Sequence, residues 1–172
     1  MTFVIWLTGP SGAGKTVLAH MLEKKLKETG SRVEVLDGDV LRSRLYPNIG
    51  FSKEARETHN GVVIYIAKLL SRNDVIPIVS LISPYREVRN YARRELDRFI
   101  EVYLECPVDV RIQRDPKGLY AKAIKGEIKG LTGYDGVYEE PQKPEVVVET
   151  HKMSVGEEAE LIIKKAIELG YL

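Results

Sequence analysis

Short apolar runs alternate along this chain with longer segments in which apolar residues recur at helical spacing. The apolar runs are rich in Val and Ile and are bounded by Gly, Pro, Asn or charged residues, which predicts buried strands at residues 3–7, 33–36, 75–79, 99–104 and 145–148. The periodic segments predict helices at residues 15–29, 53–72, 86–98, 108–114 and 154–169, the last with a capping box at Ser154 and Glu157. Buried strands separated by helices indicate an α/β protein, with a parallel sheet and helices on both of its faces.

Residues 115–143 interrupt this alternation. The segment holds five glycines, two prolines and many charged residues, with one short helical stretch at residues 119–124. Loops this long in a compact domain are usually functional, so we expect a lid over a bound ligand; a surface insertion without function is the alternative. Few apolar residues are available to hold the segment down, which predicts mobility. No repeat or linker divides the chain, and 172 residues suit a single domain, 1–172.

Composition narrows the classes of function. Lys and Arg number 26 against 25 Asp and Glu, a net charge of +1, so bulk charge does not support nucleic-acid binding and any anion site must be a local cluster. Cys106 is the single cysteine, which rules out an internal disulfide and favours a reducing, cytoplasmic compartment. The apolar start, residues 1–8, is too short for a signal peptide or a membrane span, so no membrane partner is expected.

The segment after the first predicted strand reads GPSGAGKT at residues 9–16 and fits G-x-x-x-x-G-K-[ST]. A strand before it and a helix after it are the context that this motif requires, so we expect the three-layer P-loop NTPase fold. Glycines let backbone N–H groups surround phosphate oxygens, and the helix adds the positive end of its dipole. Lys15 can then reach the β- and γ-phosphates of ATP, and the Thr16 hydroxyl can ligate Mg²⁺. The predicted phosphate-binding residues are Gly9, Ser11, Gly12, Ala13, Gly14, Lys15 and Thr16.

A second cluster of candidate residues follows the second predicted strand, where the chain reads LDGD at residues 36–39. Asp37 and Asp39 would face the phosphate site, because open α/β sheets bind ligands at the carboxyl ends of their strands. Asp37 is a candidate to accept the proton of an attacking hydroxyl group or to hold magnesium-bound water. An Asx turn with a helix N-cap at Asp39 is the alternative. No N-K-x-D guanine-binding sequence is present, which argues against a GTPase switch.

Several further motifs together resemble the adenylyl-sulfate kinase (APS kinase) family along nearly the whole chain. LDGD at 36–39 with LR at 41–42 resembles the family's L-D-G-D-x-x-R, and IGFS at 49–52 with Arg56 resembles L-G-F-S followed by Arg. SLISPYR at 80–86 is similar to S-x-I-S-P-Y-R, and RDPKGLY at 114–120 matches R-D-P-K-G-L-Y. EIKG at 127–130, TG at 132–133, YE at 138–139 and Pro141 resemble the family's lid. Ordered motifs of this length are far more specific than a P-loop alone.

The resemblance implies that ATP phosphorylates the ribose 3′-hydroxyl group of adenylyl sulfate, with Mg²⁺, to give ADP and 3′-phosphoadenylyl sulfate. Together with the P-loop, it makes Asp37, Lys15 and Asp39 the candidate catalytic residues, and Thr16 and Asp37 the candidate metal ligands. It places Arg114 along the ATP adenine and Phe51 against the acceptor adenine, with arginine forks around the acceptor's anionic groups. The acceptor-binding residues that it implies are Asp39, Arg42, Phe51, Arg56, His59, Ile82, Ser83, Arg86, Lys117, Lys129, Gly130, Leu131 and Thr132.

This chain departs from the family pattern at two places. The second Phe of the lid is replaced by Leu131, which leaves an apolar cover but halves the aromatic stacking on the acceptor adenine. After Arg56, the family's x-E-N-x-R-R gives way to ETHNGV at residues 57–62, so His59 stands at the Asn position and both arginines are missing. These changes concern acceptor affinity more than reaction type. We interpret Ser83, a suspected phosphorylation site in the family, as a loop-positioning hydroxyl, because direct transfer needs no covalent intermediate.

Two other functions stay open at this point. One is a P-loop kinase with a different small acceptor, such as a nucleotide or a sugar, which the departures at residues 57–62 and 131 keep open. The other is a catalytically weak nucleotide-binding partner of a sulfate-activating enzyme, against which the retention of the P-loop and both aspartates argues. The resemblance also suggests a homodimer and coupling to, or fusion with, ATP sulfurylase. ATP and adenylyl sulfate are the expected small-molecule partners.

Overall fold

The computed structural model describes residues 1–172 and places all five strands in one parallel sheet. The strands are β1 (Val4–Thr8), β2 (Val33–Asp37), β3 (Ile76–Ser80), β4 (Phe99–Glu105) and β5 (Val146–Glu149), in the spatial order β2-β3-β1-β4-β5. In this register, Ile5 of the central strand lies beside Ile78 of β3 and Ile100 of β4. The bounds of each strand lie within about one residue of those predicted, because runs of buried β-branched residues mark strands well.

Helices cover both faces of the sheet. They are α1 (Lys15–Glu28), α2 (Gly38–Leu45), α3 (Lys53–Arg72), α4 (Arg86–Glu95), α5 (Val108–Arg114), α6 (Leu119–Ile124) and α7 (Val155–Glu168). Alternate residues of β1 point to opposite faces: Ile5 and Leu7 pack with α1 and α7, whereas Val4 and Trp6 pack with α3 and α4. The predicted α/β class and three-layer fold are therefore confirmed. The chain has no helix that is long and apolar enough to cross a membrane.

Helix α2 is not predicted by the hydrophobic pattern. Its sequence, GDVLRSRL, has no apolar stripe, and of its residues only Gly38 is buried. The Asp37 side chain starts the helix by accepting hydrogen bonds from the backbone N–H groups of Asp39 (2.9 Å) and Val40 (3.2 Å). The N-cap is thus Asp37, and the alternative that placed it at Asp39 is wrong. A side chain at position 38 would meet a terminal methyl group of Leu81, which would have to shift, so glycine is favoured at this turn.

Helix α4 ends at Glu95, short of the predicted end at residue 98. Leu96 is extended and buried, and Arg98 adopts a left-handed conformation with a φ of 52°. Both features turn the chain into β4 beside β1, so tertiary packing ends the helix before its sequence pattern does. Helix α7 keeps its predicted start, because Ser154 and Glu157 form the capping box.

The lid segment, residues 115–143, is irregular apart from α6 and an isolated bridge between Thr132 and Gly136. Its two ends are anchored. The buried Tyr120 hydroxyl donates to the carbonyl of Ser11 (2.6 Å), and the hydroxyls of Tyr138 and Thr8 are hydrogen-bonded at 2.9 Å. Hydrogen bonds therefore hold the segment near both ends, although its apolar residues are few. Between them, residues 125–130 are mostly exposed.

Candidate active site

A cavity of about 1120 Å³ opens at the carboxyl ends of the central strands, beside the loop that joins β1 to α1. The chain adds β2 and β3 on one side of β1 and then β4 and β5 on the other, and ligands of open α/β sheets bind at such a switch point. The cavity walls come from this loop, α2, α3, the β3–α4 loop, the lid segment and the β5–α7 loop. The structure thus brings most of the predicted site residues to one place.

The P-loop, residues 9–16, forms the floor of this cavity. Gly12 and Gly14 have positive φ angles of 78° and 103°, which favour glycine, and Gly14 leads directly into α1. Residues 11–16 all line the cavity. Gly9 does not line it, because it packs against Leu104 beneath the loop. The prediction of a direct phosphate contact is therefore not supported for Gly9 alone among the P-loop candidates.

Lys15 lies within the curve of the P-loop. Its ammonium group donates to the carbonyls of Gly9 (2.7 Å) and Pro10 (2.9 Å). Burial, and then the positive charge of Lys117, lowers the pKa of Lys15 to about 7, while the two nearby aspartates oppose the shift. The charged form is therefore costly within the protein alone, and phosphate oxygens at this point would stabilise it.

Asp37 joins the P-loop to α2. One of its carboxylate oxygens caps α2, and the other accepts a hydrogen bond of 3.1 Å from the Thr16 hydroxyl. Mg²⁺ at nucleotide sites takes one or two oxygens from protein side chains and the rest from phosphates and water. A hydroxyl and a carboxylate beside a P-loop fit that requirement. Nowhere in the chain do three or more His, Cys, Asp or Glu side chains form a complete metal-binding group.

Arg42, Phe51 and Arg56 form a cluster at one end of the cavity. The Phe51 side chain is 70% exposed, and the guanidinium groups of Arg42 and Arg56 lie 4.9 Å and 5.7 Å from its ring centroid. Arg42 also donates to the carbonyl of Gly50 (2.6 Å), and Arg56 to that of Phe51 (3.1 Å), so both arginines fix the turn that carries the ring. An exposed aromatic face beside two positioned cations suits a planar, anionic ligand.

His59 and Asn60 lie on the cavity wall, and each is only 3% exposed. The Tyr46 hydroxyl is hydrogen-bonded to His59 Nδ1 at 2.9 Å, whereas His59 Nε2 is buried without a hydrogen-bond partner. Burial, and then the charge of Arg42, lowers the pKa of His59 to about 4, so the ring is neutral near pH 7. A hydrogen bond donated by Tyr46 to Nδ1 would leave the single ring proton on Nε2.

The β3–α4 loop contributes Ile82 and Ser83 to the cavity wall. The Ser83 side chain is 2% exposed, and its hydroxyl accepts a hydrogen bond from Trp6 Nε1 and donates one to the Thr8 hydroxyl, each at 3.1 Å. Both hydrogen bonds fix the loop to β1. These contacts agree with the interpretation of Ser83 as a loop-positioning residue.

The structure does not bring Arg86 to the cavity. This residue opens α4, where its Nε donates to the carbonyl of Glu140 (2.8 Å) and its backbone N–H to the Glu139 carboxylate (2.7 Å). Arg86 therefore holds the end of the lid segment, and the predicted acceptor contact is not found. Sequence reasoning misses the buried Arg89 one turn later, which donates to the carbonyls of Ser83 and Glu139, both at 2.5 Å. No pattern in one sequence separates these two arginines.

The lid segment contributes Lys117 and residues 128–132 to the cavity wall. Lys117 forms an ion pair with the exposed Asp39, which connects the lid to the start of α2. The backbone N–H groups of Gly130 and Leu131 donate to the Asp135 carboxylate at 2.9 Å and 2.7 Å. This turn sets the positions of four predicted acceptor-binding residues on the cavity wall, which are Lys129, Gly130, Leu131 and Thr132.

The opposite end of the cavity has its own lining residues, namely Arg114, Thr150, Met153, Val155 and Glu158. Arg114 donates to the side chain (3.2 Å) and the carbonyl (2.8 Å) of Thr150, which fixes its guanidinium plane. Glu158 is 4% exposed, and burial raises the pKa of its carboxyl group to about 7, with Arg114 opposing the shift. Sequence reasoning misses Glu158, because in the first turn of a capped helix it looks the same as the solvent-exposed Glu157.

A P-loop between two separate binding ends suits a nucleotide donor and a small acceptor that meet at the γ-phosphate. The fold and this arrangement place the protein in the class of P-loop kinases. The family model for adenylylsulphate kinase matches residues 1–149. A probable adenylyl-sulfate kinase of Pyrococcus abyssi is 70% identical over 170 residues, which cover 99% of this chain and 98% of that protein. The chain therefore belongs to the adenylyl-sulfate kinase family, as its motifs predict.

Solved structures agree with this assignment. The fold is similar to that of the Mycobacterium tuberculosis APS kinase in complex with AMPPNP and APS, with a TM-score of 0.91, 38% identity and coverage of 95% of this chain and 96% of that one. A hexameric APS kinase from Thiobacillus denitrificans matches with a TM-score of 0.74 and 30% identity, over 100% of this chain and 30% of that one. A probable bifunctional SAT/APS kinase of Sorangium cellulosum is 46% identical over 99% of this chain and 29% of that protein. The matched region thus also occurs within longer chains.

Proposed function

We propose that this protein transfers the γ-phosphate of ATP to the 3′-hydroxyl group of adenosine 5′-phosphosulfate, giving ADP and 3′-phosphoadenylyl sulfate in sulfate activation. The observation that carries the proposal is the cavity with two ends, which joins the P-loop to an arginine–phenylalanine cluster on one side and to Arg114 on the other. ATP extends from the P-loop towards Arg114. Adenylyl sulfate lies towards Phe51, and its 3′-hydroxyl group meets the γ-phosphate beside Asp37.

Asp37 is the proposed general base. Its carboxylate lies at the P-loop and takes the proton of the acceptor hydroxyl as the oxygen–phosphorus bond forms and the bond to ADP breaks. Lys15 stabilises the negative charge of the transferring and leaving oxygens, and Asp39 positions Lys117 at the same point. Thr16 and Asp37 are the side chains that would hold Mg²⁺, whose charge neutralises the phosphates.

The acceptor is recognised by its base and by its anionic groups. Phe51 offers an exposed aromatic face for the adenine, and Leu131 of the lid covers the other side with an apolar surface. Arg42 and Arg56 stand beside this ring and pair with the phosphosulfate. His59 adds a neutral ring with one unpartnered nitrogen to the wall at the position of the family's Asn.

A coupled ADP-release assay tests the proposal with adenylyl sulfate, AMP, adenosine and a panel of sugars as acceptors. We expect adenylyl sulfate to give the highest kcat/KM, and AMP to be poorer because it lacks the sulfate that the arginines bind. Faster turnover of a sugar would assign the protein to another small-molecule kinase. Nucleotide binding without turnover of any acceptor would support a binding module instead.

We also propose that residues 1–172 act as one kinase domain that forms a homodimer in the cytoplasm and works beside an ATP sulfurylase. The bifunctional SAT/APS relative supports the coupling, since it carries both named activities in one chain. A single buried cysteine and ATP as a substrate suit a reducing, cytoplasmic compartment. Sedimentation equilibrium of the purified protein distinguishes a dimer from a monomer and from a hexamer.

A further inference from the structure

The end of the cavity that Arg114 and Thr150 line is called the donor end. It contains one carboxylate, that of Glu158, which comes from the first turn of α7. The other two carboxylates of the cavity, Asp37 and Asp39, lie at the P-loop end of α2. Glu158 is 4% exposed yet lines the cavity, so the small exposed part of its side chain borders the cavity. A base held against Arg114 would come within reach of this carboxylate.

No protein group donates a hydrogen bond to the Glu158 carboxylate. Arg114 is its charged neighbour but directs its own donors to Thr150 and Cys106. The adjacent Glu157 differs in both respects. Its carboxylate accepts hydrogen bonds from Ser154 in the capping box, and its side chain is exposed. The side chain is mostly buried, but its carboxylate oxygens are not among the fully buried atoms that lack a partner, so they reach the cavity, where a ligand can supply the donor. Burial accordingly raises the pKa of Glu158 to about 7.

We infer that Glu158 determines the base specificity of the phosphoryl donor by accepting a hydrogen bond from the exocyclic amine at C6 of adenine. When the Glu158 carboxyl group is ionised, a 6-oxo purine such as hypoxanthine or guanine places a carbonyl oxygen opposite the carboxylate oxygens without a proton between them. The pocket would therefore reject 6-oxo purines by leaving two acceptors opposed and unpaired. This inference rests on the proposed function only in taking this end of the cavity as the donor-base site.

The test compares ADP with IDP, which differ by the C6 amine and carbonyl, by titration calorimetry without acceptor at pH 8. We expect the unmodified protein to bind ADP more tightly than IDP by on the order of tenfold or more, as for a hydrogen bond to a charged group. In Glu158→Gln this ratio should fall close to one, because an amide can turn to donate or accept. Glu157→Gln removes the same charge one residue away, retains a capping-box side chain and should keep the original ratio.

Glu158→Ala serves as a second variant, and it should bind ADP more weakly and lose the preference as well. A ratio near one in the unmodified protein, or an unchanged ratio in both Glu158 variants, would overturn the inference. Because the titration contains no acceptor, its result is independent of adenylyl-sulfate turnover. A protein that selects ADP through Glu158 but does not phosphorylate adenylyl sulfate would refute the proposed function and leave this inference intact.

Discussion

The Thr16 hydroxyl donates a hydrogen bond of 3.1 Å to the Asp37 carboxylate and so joins the first turn of α1 to the end of β2. The second oxygen of the same carboxylate caps α2. Asp37 thus has a structural role and a proposed chemical role at once. Substitutions that keep one role and remove the other can separate them.

Asp37→Asn keeps an oxygen for the cap but loses the charge and the basicity of the carboxylate. We expect kcat to fall on the order of 10²-fold or more, as for loss of a general base, with little change in the KM for ATP. The thermal midpoint should stay near that of the unmodified protein, whereas Asp37→Ala should lose about 1 kcal/mol of stability with the cap. If kcat survives in the Asn variant and only the Mg²⁺ dependence shifts, Asp37 is a metal-site residue and not the base.

Lys15→Ala removes the cation at the centre of the P-loop. We expect transfer to fall on the order of 10²-fold or more, because this charge faces the oxygens on which negative charge develops. The fold should persist, since Lys15 binds only carbonyls of its own loop and its charge is costly there. Lys24→Ala, on an exposed position of the same helix, is the matched control. Near-normal turnover of the Lys15 variant would exclude it from the mechanism.

The proposed binding of the acceptor adenine between Phe51 and Leu131 can be tested by changing either residue. Phe51→Ala should weaken adenylyl-sulfate binding by about 1–3 kcal/mol through lost stacking, with little effect on ATP affinity. Leu131→Phe should tighten binding, since it adds an aromatic ring to the lid wall of the same cavity. Equilibrium dissociation constants for both substrates supply the comparison. An unchanged acceptor constant in both variants would contradict the stacking arrangement.

The sequence predicts the elements of the fold that depend on local pattern. It does not predict elements or side-chain positions that depend on contacts between residues distant in the chain. Buried β-branched runs place every strand, but α2 lacks an apolar stripe and depends on the Asp37 cap. Arg86 and Arg89 look alike in the chain, yet in α4 the first donates to the carbonyl of Glu140 and the second is buried. The P-loop motif and the family resemblance together placed the P-loop, Arg42 and Arg56 at one cavity, but the resemblance also placed Arg86 there, and Arg86 lies outside it.

At the donor end of the cavity, too, the sequence alone does not show which side chain reaches the site. Glu157 and Glu158 are adjacent, and only the packing of α7 determines which of them faces the cavity. Helical periodicity in one sequence does not reveal a cavity between a helix and a loop, so Glu158 could not be assigned beforehand. The raised pKa of Glu158 reports its burial and can be measured through the pH dependence of stability.

Glu158→Gln should change how stability depends on pH. The folded-state pKa is raised from 4.5 to about 7, so the folded protein binds more protons than the unfolded chain in this window. The contribution of Glu158 to the free energy of unfolding therefore falls as pH rises from 4.5 to about 7, by roughly 3 kcal/mol at most, and stays level above it. His59 and Lys15, whose pKa values are lowered, add stability as pH rises over the same range, so the test is a comparison between proteins. From pH 5 to pH 8 in urea unfolding, Glu158→Gln should gain stability relative to the unmodified protein, whereas Glu157→Gln should follow the unmodified protein. The same pH dependence in all three proteins would contradict the buried environment.

The lid should close through its exposed centre, because its ends are already anchored by Tyr120 and Tyr138. Gly126 and Gly130 have φ angles of 75° and 73° and flank the exposed stretch that carries Lys129. Hydrogen exchange at residues 125–130 should be fast in the free protein and slow when nucleotide and acceptor bind together, whereas the anchored ends should be protected throughout. Closure excludes water, so ATP hydrolysis without acceptor should be slow.

Two pairs of lysine substitutions test whether this closure depends on charge. Lys117→Ala with Lys129→Ala should lower transfer more than it lowers ATP binding, because both side chains line the cavity and gain phosphate partners as the lid closes. Lys122→Ala with Lys125→Ala removes the same charge from exposed positions of the segment that do not line the cavity, and it should leave transfer unchanged. If exchange at residues 125–130 is equal with and without ligands, the segment is a fixed insertion. Protection from wasteful hydrolysis must then come from the rigid walls of the cavity.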